Sequence, residues 1–312
     1  MKLHFINPIS ILICRVVFGK KFDEAELFLM ENSKYKKNDL LLSTKKQIST
    51  EFCKILNIKL SFTNSIKCNY NSKCAIEPTI SSFHNKNTYI IFQGSDMYCT
   101  FGFQNYLTNT KSKINLFLKW RNIKKEVKRC NQIVFSRGLK GIFFRKKRIV
   151  VNQFEFQEIM KTISNNESFR HLFNKYLDTS GQYLLVLPHI YNRMSEYFND
   201  NFFKKVSELS VRYNLEIIIK PHQNDSFNYS TINHKFNKKL ILFDENDRFF
   251  PAELLMIDQR ISKIVAVPSS SLSILNIGKL YIFADKNPYN FRIHFLDQIP
   301  FLQRLNIKYE LI

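Results

Sequence analysis

Short apolar runs bounded by polar turns recur along the chain, and their lengths alternate between those of strands and those of helices. Residues 3–6 read as a strand, and Pro8 then opens a helix over 9–18, in a first-turn position where a missing N–H does no harm. Residues 26–30 read as a second strand, 40–42 belong to a third element, and 45–56 have helical spacing. "TYIIF" (88–92) is a strand ending in "QGSD", and 131–135 and 149–152 are further strands. The helical stretch 154–177 is followed by "DTSGQ", the best linker in the chain. A second series then begins: strand 183–187, helix 195–213, strands 215–219 and 239–243, helix 252–258, and strands 263–267 and 280–283. Residues 300–312 read as a last helix that packs back on the first domain. Strands alternating with helices predict an α/β fold with parallel sheets, in two Rossmann-like domains, 1–177 and 178–312, facing a central cleft.

A chain of 312 residues can bury two cores. At 45% hydrophobic residues it is not a disordered chain. The formal charge of +21 favours anionic partners, whether nucleic acid, acidic lipid or phosphorylated sugars. The basic residues concentrate in "KWRNIKKEVKRC" (119–130) and "FSRGLKGIFFRKKRIV" (135–150), where Phe143 and Phe144 adjoin Arg145, Lys146, Lys147 and Arg148. Aromatic residues beside cations suit an anionic membrane surface, although each cluster alone reads equally well as a solvated face. No nucleic-acid-binding motif accompanies the charge, so no nucleic-acid partner is expected. The six cysteines, Cys14, Cys53, Cys68, Cys74, Cys99 and Cys130, show no CxxC pair and no zinc spacing, which predicts free thiols in a reducing compartment. The N-terminal apolar run is broken by Asn7 and Pro8 and fits neither a signal peptide nor a membrane span. These readings place the protein in the cytoplasm, peripheral to the inner face of the membrane.

Open α/β sheets bind ligands at the carboxyl ends of their strands, and three segments of the second half carry chemistry there. In "LEIIIKPHQNDSF" (215–227) a buried strand ends in Lys220, Pro221 and His222: a cation, a rigid turn and an imidazole. In "FFPAELLM" (249–256) Pro251 starts a helix with Glu253 in its first turn. In "IVAVPSSSLSIL" (264–275) a strand runs into Ser269, Ser270 and Ser271 and then a helix. Hydroxyls, free N–H groups and the positive end of a helix dipole together bind phosphate without glycine or metal. Taken singly, a serine run is most often an N-cap, a His after Pro a solvated loop residue, and a first-turn Glu a dipole partner. No GxGxxG, GxxxxGK[ST] or DxD-type motif is present, and no kinase, hydrolase or zinc-protease signature, so neither a cofactor nor a metal is expected. "FDEAE" (22–26) and "FDENDRF" (243–249) are acidic but lack the strand-then-loop setting of a metal site.

The order and spacing of these segments resemble bacterial sialyltransferases of the lipooligosaccharide and polysialic-acid type, most closely the family 52 glycosyltransferases. Those enzymes carry a strand followed by Lys-Pro-His-Pro, then a segment like Pro-x-Glu-x-Leu, then a strand ending in Ser-Ser or Ser-Thr. Here "IIIKPHQ", "FPAELLM" and "VAVPSSSLSIL" stand in the same order, and "LHFINPISILICRVV" is similar to the family's N-terminal pattern. The resemblance implies a GT-B-like fold and an inverting, metal-independent transfer of sialic acid from CMP-sialic acid to a lipooligosaccharide or capsular glycan. It implies His222 and the three serines at the CMP phosphate, with Glu253 on the cytidine side. Two departures stand out. Gln223 replaces the proline after the histidine, and Phe92 and Gln93, before Gly94, stand where polysialyltransferase relatives have two acids. Asp96, two residues beyond Gly94, is the candidate substitute base; the alternatives are a base elsewhere in the chain or an altered or lost activity.

The chemistry is sound on first principles: a donor at the phosphate stabilises the leaving CMP, and a carboxylate takes the acceptor proton. Two other readings stay open at this point. One is a GT-B transferase using a UDP-sugar or CDP-alcohol donor, and the other is a basic membrane or nucleic-acid binding module without catalysis. A homodimer is compatible with the sequence.

Overall fold

A strand buried on both faces must be apolar on consecutive residues rather than alternate ones, which is the pattern of parallel sheets. The central strands of the second sheet follow it, as in "YLLVL" (183–187) and "EIII" (216–219). The computed structural model describes residues 1–30, 39–63, 73–76, 88–91, 131–134, 148–188, 192, 194–222, 225–244, 246–247, 250–267, 279–283 and 309–311. By contact the chain separates into two units, Met1–Ile159 and Met160–Ile312.

The first unit holds β1 (Lys2–Phe5), β2 (Glu26–Met30), β3 (Leu60–Thr63), β4 (Cys74–Ile76), β5 (Thr88–Ile91), β6 (Asn131–Val134) and β7 (Arg148–Val150). They form one sheet in the order β3-β2-β1-β4-β5-β6-β7, with every pairing parallel. Helix α1 (Ile9–Phe18) follows β1. The Asn7 side chain accepts the Ile9 N–H at 3.1 Å and so caps the entry beside Pro8. The helix stops at Gly19, whose positive φ of 56° glycine adopts without strain. Helix α2 (Asp39–Leu56) is a single element that absorbs the separate piece expected over 40–42. Strands β3 and β4 were not anticipated.

The second unit holds β8 (Tyr183–Leu187), β9 (Glu216–Ile219), β10 (Leu240–Leu242), β11 (Ile261–Ala266), β12 (Leu280–Ile282) and β13 (Tyr309–Leu311), in the order β10-β9-β8-β11-β12-β13. All of its pairings are parallel. The strand β13 corrects the helix expected at the C-terminal end: Tyr309–Leu311 extends the sheet beside β12. The helical stretch expected over 154–177 is two helices, α3 (Gln153–Ser164) and α4 (Glu167–Asn174). Asn166 restarts it by accepting the Ser168 N–H, a cap that a continuous helix would not need. The division between the units falls within α3, ahead of "DTSGQ". The reason lies in packing: Phe169 and Phe173 meet Phe250, Tyr176 stacks on Phe243, and Arg260 donates to Asn174 Oδ1 and to the Leu177 carbonyl.

Helix α5 (Glu196–Tyr213) shows how the core of the second unit forms. Ser195 caps it by accepting the Phe198 N–H at 3.1 Å, and Asn214 ends it in the left-handed region. Phe198, Phe202, Val206 and Leu209 recur at helical spacing and are buried with Phe203 against the apolar residues of β8, β9 and β11.

The cysteines need one correction. Cys14 and Cys53 are free and buried, and burial pushes the Cys53 thiol up to about 12, so it is inert at neutral pH. Cys74, however, is disulfide-bonded. Sequence spacing tests for a metal set or a CxxC pair, whereas a disulfide needs only two Cα atoms within about 7 Å in the fold. The reading of a reducing compartment therefore loses its basis. Among the described residues no helix is long and apolar enough to cross a membrane. Cys68, Cys99, Cys130, Trp120 and the clusters 119–130 and 135–147 lie outside the described residues.

His4 is the anomaly of the first core. It is fully buried in β1 and stacked on Phe28 at 4.9 Å, and neither ring nitrogen has a hydrogen-bond partner among the described residues. Burial, with Lys2 adding to it, pushes its pKa from 6.5 down to about 4. Between those values the unfolded chain binds a proton that the folded chain refuses. Stability is therefore full above pH 6.5 and falls as pH drops toward 4, by about 3 kcal/mol. Denaturant melts of wild type and His4→Phe at pH 7 and pH 4.5 should converge on this difference, with the variant losing less in acid. Equal acid losses would show that His4 does not titrate as a buried neutral ring.

Candidate active site

In the second unit the chain steps outward from β8 to β9 and β10, then crosses back to set β11 on the other side of β8. Such a reversal is a topological switch point, where loops leaving neighbouring strands diverge and make room for a ligand. The carboxyl ends of β8, β9 and β11 come together there. Two backbone bonds fix them: Lys220 N–H to the Val186 carbonyl at 3.0 Å, and Val267 N–H to the Leu187 carbonyl at 3.2 Å.

Lys220 is thus held in the sheet just past the end of β9. Its side chain is 6% exposed, with Nζ 3.4 Å from the Pro221 carbonyl. Burial pushes its pKa down to about 8, and the charge of Glu253 opposes that fall. Glu253 is buried in the first turn of α6 (Ala252–Met256), the short helix ahead of β11. Pro221 and His222 follow Lys220 and are half-buried. The Asp225 N–H donates to the His222 carbonyl at 2.9 Å and closes the turn. The structure therefore sets Lys220 at the strand end with His222 two residues on, and brings Glu253 within electrostatic reach of Lys220. Gly94, Asp96, Ser269, Ser270 and Ser271 lie outside the described residues, as do Phe92, Gln93 and Gln223. Val267, at the end of β11, is the last described residue before the serines.

The loop after β10, which leads to Glu253, is clamped from α4. Tyr176 stacks on Phe243 at 4.1 Å, donates its hydroxyl to Asp247 Oδ2 at 2.5 Å, and accepts the Asp244 N–H at 3.0 Å. Burial pushes this phenol up to about 12. Lys175 bridges Asp244 at 2.5 Å and Asp247 at 2.7 Å, and its hydrogen bond holds the Asp244 carboxyl below the usual carboxylate range. Two of the acids in "FDENDRF" are thus engaged by a lysine. Among the described residues no group of three His, Cys, Asp or Glu side chains comes together as a metal site would require.

Sequence reasoning did not single out Tyr176, Lys175 or Tyr229, and it quoted Asp225 without a role. The clamp from α4 has no local signal, because its partners are remote in sequence. Asp225 had one: "DSF" suits an Asp whose side chain takes the N–H two residues on, and the Phe227 N–H does donate to Asp225 Oδ1 at 3.1 Å.

Lys220 generates a second linkage effect, opposite in range to that of His4. Its folded pKa lies below the unfolded 10.5, so between pH 8 and 10.5 the folded state has released a proton that the unfolded state keeps. Stability should rise with pH across that window, relieving a penalty of about 3 kcal/mol that is fully present below pH 8. Subtracting the unfolding free energy of Lys220→Met from that of wild type isolates the term. A difference that stays flat from pH 8 to 10.5 would mean an ordinary, solvated ammonium.

No protein-family model matches the chain, and no curated protein sequence matches it. Solved structures do match. A Listeria monocytogenes protein assigned as a UDP-N-acetylglucosamine 2-epimerase is similar at a TM-score of 0.50 and 10% identity, over 98% of this chain and 87% of its own. The UDP-GlcNAc 2-epimerase of Neisseria meningitidis, bound to UDP-GlcNAc, is similar at 0.49 and 11% identity, over 100% and 94%. A Photobacterium 2,6-sialyltransferase in complex with CMP and lactose is similar at 0.48 and 10% identity, over 99% and 78%. At such identities the likeness concerns the fold alone, and that fold is a GT-B-like α/β architecture with two parallel sheets.

Proposed function

We propose that the protein is an inverting, metal-independent glycosyltransferase that moves sialic acid from CMP-sialic acid to a cell-surface glycan of the lipooligosaccharide or capsule kind. The observation that carries this reading is the Lys220-Pro221-His222 segment at the carboxyl end of β9, beside the switch point of an all-parallel sheet. Glu253 acts on the same lysine, and the serines follow β11 in the chain.

During transfer the bond between the anomeric carbon and the CMP phosphate oxygen breaks, and the acceptor oxygen bonds to that carbon from the opposite face. CMP departs as a phosphate monoester. His222, as a donor at that phosphate, meets the developing charge, and Ser269, Ser270 and Ser271 share it. A carboxylate accepts the proton from the acceptor hydroxyl, a role that falls to Asp96 on the carboxyl side of β5. The transition state is oxocarbenium-like, so the same carboxylate favours it electrostatically. Glu253 lies on the cytidine side. The clusters around 119–130 and 145–148 hold the enzyme on anionic lipid, with about 1 kcal/mol from each cation near the surface.

A melting experiment separates this reading from its nearest rival. CMP at about 100 times its dissociation constant should stabilise the protein by about 2.7 kcal/mol, and UDP should do less. A larger shift with UDP would favour a hexosyltransferase instead. Turnover of CMP-sialic acid should survive EDTA, and His222→Asn should lower it by about a hundredfold, the scale of losing one preorganised donor. Strict dependence on a divalent cation, or a wild-type rate in the variant, would sink the proposed site.

A further inference from the structure

The turn that carries His222 is tied to the core by one buried carboxylate. Asp225 is 2% exposed. Its own N–H holds the His222 carbonyl at 2.9 Å, its Oδ1 accepts the Phe227 N–H at 3.1 Å, and its Oδ2 accepts the Tyr229 hydroxyl at 2.5 Å. Tyr229 is 3% exposed and packs edge-on against Phe203 of α5, with ring centroids 6.1 Å apart, and against Phe227 at 5.0 Å.

A carboxylate that only shaped an exposed turn would stay in water and take the N–H two residues on. Burying it is costly unless its oxygens are hydrogen-bonded, and here a phenol from the core supplies the second acceptor site with a charge-assisted bond. Such an arrangement transmits the rigidity of α5 to the backbone of residue 222. An imidazole that must meet a phosphate oxygen needs that rigidity, since small misplacements at a reacting centre are expensive.

We infer that Asp225, locked by Tyr229, is a positioning residue that acts through His222, holding its turn in the geometry that engages the nucleotide phosphate. This rests on the proposed reading of the site. Two conservative variants of the full chain probe it. Asp225→Asn keeps an acceptor for Phe227 but removes the charge, and Tyr229→Phe keeps the ring and removes only the hydroxyl.

The test is a double-mutant cycle on CMP affinity by titration calorimetry, with circular dichroism as the check on folding. Each variant should weaken CMP binding by about tenfold, the scale of one charge-assisted hydrogen bond. In a His222→Asn background the same substitutions should cost nothing further, because their effect runs through the imidazole. Losses that add to that of His222→Asn, or silent single variants, would overturn the positioning role. If Asp225→Asn fails to fold, Tyr229→Phe decides, and failure of both would make the contact purely structural. A silent His222→Asn, with CMP or with UDP as titrant, is a different result: it would sink the reading of the site and the positioning role with it.

Discussion

Everything at the candidate site hangs on β8. Tyr183–Leu187 is buried along its whole length, with β9 hydrogen-bonded on one side and β11 on the other. The two bonds at its upper end, from Lys220 to Val186 and from Val267 to Leu187, decide where two loops leave the sheet. A parallel ladder allows little slippage when both faces are covered, because a shift by one residue would turn every side chain over. The registers of β9 and β11 on β8 therefore fix the starting points of the His222 turn and of the serine segment together.

Polar groups are buried at both ends of this sheet: Asp225 and Lys220 beyond the end of β9, and Arg260 just before β11. Asp225, Lys220, Glu253 and Arg260 are all buried, and the described contacts show different ways of making that tolerable. Asp225 is hydrogen-bonded through both oxygens. Arg260 forms a bidentate pair with Asp258, at 3.0 and 2.8 Å, and donates twice more to Asn174 and Leu177. Lys220 remains costly, since the charge of Glu253 only partly offsets its desolvation.

Local patterns revealed β8 to β12 of the second unit as apolar runs, and the helix Glu196–Tyr213 because Ser195, its phenylalanine spacing and Asn214 all agree. They revealed Lys220, His222 and Glu253 because these follow strand ends or open a helix. They did not reveal β13, since "YEL" carries no period of its own and becomes a strand by pairing with β12. Nor did they reveal the restart of the helix at Asn166, the disulfide of Cys74 or the clamp of Tyr176 on the loop after β10.

The sequence by itself determined the α/β class, the alternation of elements and the chemistry at the ends of β9 and α6, because side-chain period, turn residues and capping act over only a few neighbours. Tertiary structure alone decided which strands are neighbours, that residues 160–177 pack with the second unit, and that Asp225 is buried rather than solvated. Those outcomes depend on contacts between residues far apart in the chain, such as Tyr176 with Asp247 and Tyr213 with Tyr281. Local propensity carries no record of such partners, and only the closing of the core brings them within hydrogen-bonding distance.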